Sequence, residues 1–107
     1  MPKYVIERNM SGAGELSRDE LAVIAEKSCR ALDEIGSEIQ WVESFVTADK
    51  VYSVYIARDQ AVIREHAYLS GFPADTIHEV KTVIDPSTAR EARWSRERDV
   101  SKEAGTY

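Results

Sequence analysis

Residues 38–57, EIQWVESFVTADKVYSVYIA, decide the fold. Glu38 to Thr47 and Val51 to Ala57 are rich in β-branched and aromatic residues, and Ala48-Asp49-Lys50 between them is short and polar. Two such runs joined by a three-residue connection predict a β-hairpin. On its N-terminal side stands Ser17-Arg18-Asp19-Glu20, a capping box in which the serine oxygen and the glutamate each satisfy a backbone N–H. Leu21, Ile24, Ala25, Ser28, Leu32 and Ile35 follow at helical spacing, and Gly36 stops the helix. On the C-terminal side Asp59 can cap a second helix running to about Ser70, ended by Gly71 and Pro73.

Outside these two helices lie two more strand-like runs. Lys3 to Arg8 (KYVIER) precedes the turn-rich Ser11-Gly12-Ala13-Gly14. Thr76 to Ile84 (TIHEVKTVI) is closed by Asp85-Pro86. The order β-α-β-β-α-β is that of an α+β, ferredoxin-like domain, a four-stranded antiparallel sheet with two helices on one face. Residues 1–86 form that domain, and the highly charged residues 87–107 form a C-terminal extension. The extension reads either as a solvated tail or as an arm docked through Trp94, with docking expected.

Two helices cover one face of such a sheet, so strand alternation predicts what the other face carries. Placing Tyr4, Ile6, Val42, Val46, Val54, Ile56, Val80 and Ile84 toward the helices leaves Val5, Glu7, Trp41, Glu43, Phe45, Ser53, Tyr55, Glu79 and Lys81 on the open face. Three large aromatics on an uncovered sheet predict burial against a second copy, a homodimer. Glu7, Trp41, Glu43, Tyr55 and Glu79 would line any cavity left between the two sheets.

Composition narrows the function classes. The chain has 107 residues, 43% of them hydrophobic, enough for one small core. A net charge of -5 and a pI near 5.0 argue against nucleic acid and against anionic membranes as partners. The lone Cys29, which reads as a small core residue, and an N-terminus without a long apolar run predict a reducing, cytoplasmic setting. No Ser-His-Asp pattern or phosphate-cradling glycine loop stands out. Glu7 and Glu79 would be near neighbours if the last strand flanks the first, and could then raise each other's pKa; pairing with Lys81 or Arg8 is the plainer expectation.

Only two histidines are present, His66 in Glu65-His66-Ala67 on the second helix and His78 at the start of the last strand. Neutral imidazole is the usual ligand for nickel, copper or zinc, and His66, His78 and Asp75 are the candidate donors, with other surface carboxylates in support.

Several blocks together resemble a known family. They are Tyr4-Val5-Ile6-Glu7-Arg8, Ile39-Gln40-Trp41-Val42, Lys50-Val51-Tyr52-Ser53-Val54-Tyr55, Arg64-Glu65-His66-Ala67, Gly71-Phe72-Pro73-Ala74 and Val83-Ile84-Asp85-Pro86-Ser87-Thr88. The chain is similar, over residues 3–88, to the small bacterial nickel-binding proteins with a ferredoxin-like fold. That resemblance implies a homodimer binding nickel or a similar divalent cation for sequestration or detoxification, with His66 inside a shared block. The chain thus reads as a metal-binding protein. The alternatives are a small dimeric ferredoxin-like enzyme of the cofactor-free monooxygenase or cyclase type, or a ligand-binding module using the open sheet face.

Overall fold

A computed structural model describes residues 1–100, the side chains of 92, 95 and 97–100 excepted. Four strands, β1 (Lys3–Asn9), β2 (Ile39–Val46), β3 (Lys50–Ala57) and β4 (Thr76–Glu79), form one antiparallel sheet in the order β2-β3-β1-β4. Helices α1 (Arg18–Ile35) and α2 (Gln60–Ser70) pack side by side on one face. A third helix, α3 (Pro86–Val100), follows the sheet. The predicted ferredoxin-like βαββαβ fold is therefore the fold observed. Among the described residues no helix is long and apolar enough to cross a membrane.

Local chemistry sets the helix ends. Ser17 Oγ accepts from the Glu20 amide at 3.1 Å and Glu20 Oε1 accepts from the Ser17 amide at 3.0 Å, completing the capping box. Asp59 Oδ1 accepts from the Val62 amide at 3.0 Å and starts α2. Gly71 closes α2 at φ 77°, a left-handed conformation that side chains resist, with its amide donating to the Ala67 carbonyl. Asp85-Pro86, expected only to stop a strand, instead starts α3. Asp85 Oδ1 accepts from the Ser87 amide at 2.8 Å, and proline occupies the first helical position, where its missing N–H costs nothing.

The core joins Tyr4 and Ile6 of β1, Ile39 of β2, Tyr55 and Ala57 of β3, and Val62 and Ile63 of α2. Each fully buried aliphatic such as Ile6 or Ile63 contributes roughly 2 kcal/mol by leaving water.

Three expectations are corrected. First, Ser53, Tyr55 and Trp41 face the helices, while Val54 and Ile56 lie on the open face. The β1–β3 register pairs Tyr4 with Tyr55 and Ile6 with Ser53, and directly opposed residues share a face. In β2 a bulge at Val42 separates Trp41, opposite Tyr55, from Glu43, opposite Val54. Trp41, Ser44 and Val46 thus point inward, while Glu43 and Phe45 point outward.

Second, β4 ends at Glu79, and Val83 and Ile84 are exposed. Its partner β1 starts at Lys3, whose carbonyl accepts the final bond from the Val80 amide; the preceding Pro2 has no N–H to offer, and its carbonyl accepts from the Ala57 amide of β3 on the other side. Third, Cys29 is exposed, and the buried residues of α1 are its neighbour Ser28 and Ala31. In α3, Trp94 is 62% exposed; residues 101–107 of the expected docking arm lie outside the described residues.

Candidate functional site

The two sheet faces offer two different chemistries. On the open face, β1 and β4 bring Glu7 opposite Thr76 and Val5 opposite His78. Glu7 accepts hydrogen bonds from Lys50 Nζ and from Thr76 Oγ1. The Lys50 ammonium, and to a lesser degree the His78 imidazole, hold the Glu7 carboxyl below the usual carboxylate range. Lys50 in turn is held protonated above its ordinary range, chiefly by Glu7, with Asp75 contributing. One end of the open face is therefore a charged cluster of Glu7, Lys50, Asp75 and His78, next to exposed apolar surface that includes Phe45.

The candidate metal donors occupy separate places. His66, on α2, is 0% exposed. Its ring sits 5.4 Å from that of Tyr55 at 56°, and Nε2 donates to the Ser28 carbonyl at 3.2 Å. A carbonyl can only accept, so Nε2 carries the proton and Nδ1 is left buried without a partner. Burial pushes the His66 pKa below the usual imidazole range. His78 lies on the opposite face of the sheet, exposed on the edge strand β4. Asp75, just before β4, accepts from the Asn9 amide at 2.6 Å. Among the described residues no three His, Cys, Asp or Glu side chains converge.

The candidate cavity liners also divide. Glu7 and Glu43 are on the open face. Glu79, opposite Tyr4 on β4, pairs with Lys81 at 2.5 Å, so Glu7 and Glu79 are not a carboxylate pair. Trp41 and Tyr55 do meet, but beneath the helices. With α1 they enclose a cavity of about 420 Å³. Apolar walls come from Leu21, Ile24, Val51 and Phe72, among others. The face of α1 predicted to be core is only partly buried at Leu21, Ile24 and Ala25 because this space lies under it.

At the floor of the cavity is Arg8, a residue outside the candidate donors and cavity liners expected from the sequence. It is 4% exposed. Its Nη1 donates to Ser53 Oγ at 2.7 Å and its Nη2 to the Tyr55 hydroxyl at 3.4 Å. The signal was present: Tyr4 and Ile6 point inward, and Arg8 is the next residue of that alternation.

Comparison with known proteins agrees with this architecture. The family model described as "Nickel responsive protein SCO4226-like" matches residues 4–80. Among solved structures, SCO4226 from Streptomyces coelicolor A3(2) superposes with a TM-score of 0.63 at 19% sequence identity. The match covers 77% of this chain and 99% of that one, a likeness of fold. Comparison with curated proteins gives no match.

Proposed function

Since the chain belongs to the SCO4226-like family of nickel responsive proteins, we propose that it binds nickel or a similar divalent cation and sequesters it. The site we propose is on the open sheet face, built around His78 and completed by a second copy of the chain. The observation that carries this reading is the placement of His78. It is the exposed histidine of the two, and it shares its face with the Glu7 carboxylate. His66 is enclosed and its Nε2 is engaged by Ser28.

Imidazole and carboxylate donors together suit nickel, copper and zinc. One imidazole and one carboxylate are too few for a stable site, and a two-fold axis doubles both. The same face exposes Phe45, which a second copy would cover. Metal would compete with Lys50 for Glu7, so binding should release the ammonium to solvent.

Calorimetry with nickel chloride on tag-free protein tests this. Wild type should bind, and His78→Ala should bind about tenfold more weakly or worse while keeping its circular dichroism spectrum. No heat from wild type contradicts metal binding. Equal affinity in His78→Ala contradicts this site.

A further inference from the structure

The cavity under α1 bears on a different ligand. The polar groups of its floor have donor protons to spare. Arg8 is a full positive charge, nine-tenths removed from solvent, and among the described residues no carboxylate lies within ion-pair distance of it. Its Nε has no partner at all. The groups it does meet, Ser53 Oγ and the Tyr55 hydroxyl, are neutral, and its guanidinium also stands 5.7 Å from the Tyr55 ring. A buried guanidinium without a counter-charge is costly, and a bidentate anion is what its planar fork matches best.

The hydroxyls point the same way. Ser44 Oγ and Ser53 Oγ lie 2.7 Å apart, and Trp41 Nε1 donates to Ser44 Oγ at 2.9 Å. One hydroxyl proton makes the serine–serine bond. Whichever serine supplies it, the other serine's proton finds no acceptor among the described residues. The Tyr55 hydroxyl accepts from Arg8, and its own proton is likewise left without an acceptor. The one carboxylate that lines the cavity, Asp19, is exposed beside Arg18 in the first turn of α1. A polar floor with surplus donors and no anionic acceptor of its own calls for a ligand that brings acceptors.

The walls specify the rest of that ligand. Leu21, Ile24, Val51 and Phe72 are apolar, and 420 Å³ is at the small end of the range for small-molecule sites. A metal cation is the wrong charge for this floor. We propose that the cavity is a binding site for a small organic carboxylate with an apolar body. Its carboxylate is held by Arg8 and the Ser44–Ser53 pair, and its hydrocarbon or aromatic part lies against α1 and Phe72. The site is on the helix side of the sheet, away from His78, so it operates with or without metal.

The test uses metal-free, full-length protein and three probes of equal chain length, octanoate, 1-octanol and octylamine, by calorimetry and by the fluorescence of Trp41 in a Trp94→Phe background. Octanoate should bind at least about tenfold more tightly than octanol, with octylamine weakest. Arg8→Met, which removes the buried charge and keeps the volume, should melt no lower than wild type yet lose about tenfold or more in octanoate affinity. Absence of octanoate binding at millimolar concentration, equal binding of octanol, or undiminished octanoate binding by a folded Arg8→Met protein would each overturn the proposal. If Arg8→Met does not fold, the comparison of octanoate with octanol on the wild-type chain decides.

Discussion

Replacing His66 by alanine separates a structural histidine from a metal ligand. The ring is fully enclosed between α1 and β3, and truncating a buried ring of that size costs about 3 kcal/mol through lost contacts and residual cavity. Loss of the Nε2 hydrogen bond to Ser28 adds about 1 kcal/mol, and removal of the orphaned Nδ1 returns about as much. The net expectation is destabilisation by about 3 kcal/mol. For a domain of this size that lowers Tm by roughly 12–24 °C. Thermal melts followed by circular dichroism on metal-free protein at pH 7.5 measure it. His66→Phe, which keeps a slightly larger ring in the same space, should cost less than about 1.5 kcal/mol. Nickel affinity, read in the cold where both variants remain folded, should match wild type. A Tm change of a few degrees for His66→Ala would refute the packing argument. A folded His66→Ala protein that no longer binds nickel would return His66 to the ligand set.

Three further outcomes are expected. His66 is neutral in the fold with its pKa below the ordinary 6.5, so the unfolded chain takes up the proton first. Stability should hold above pH 6.5 and fall as pH drops through that value toward the depressed folded pKa. The losses from Glu7, Glu20, Asp59 and Asp85 begin lower, near and below their ordinary 4.5 and 3.8. Urea melts between pH 8 and 5 would show a slope that is absent in His66→Phe. Gly14→Ala would place a Cβ 2.9 Å from the Ala48 Cα and 3.0 Å from the Thr47 carbonyl oxygen, against backbone that cannot swing away. It should cost about 1–3 kcal/mol in a denaturant melt. Phe45→Lys puts a charge on the open face and should yield a one-chain mass in sedimentation; an unchanged two-chain mass would place the interface elsewhere.

What the sequence disclosed followed from how local each determinant is. The capping box at Ser17–Glu20, the Asp59 cap and the glycines at positions 36 and 71 act within one turn of chain, and all are where the residue pattern put them. The end of β4 depends instead on where β1 begins, some seventy residues away in sequence. On β3, Val54 and Ile56 look more like core than Ser53 and Tyr55 do, yet it is Ser53 and Tyr55 that face the helices. The interior is polar at this point, built around Arg8 and His66, so hydrophobicity chose the wrong side while the Tyr4–Ile6–Arg8 alternation held the right one. The bulge at Val42 then shifted the alternation of β2 by one residue. For the metal site, the histidines could be named from sequence. Which of them is enclosed depends on how α1 and α2 pack, and that is a tertiary fact.

The proposal that nickel is bound between two copies meets its most direct test in sedimentation velocity with metal analysis. Tag-free protein is dialysed against nickel chloride, freed of unbound metal, and sedimented, and nickel is measured in the sedimenting species. The expected result is nickel travelling with a two-chain species, and neither nickel nor the tight dimer persisting in the His78→Ala, Phe45→Lys double variant. Protein that retains no nickel, or that carries it as a single chain, would contradict the account.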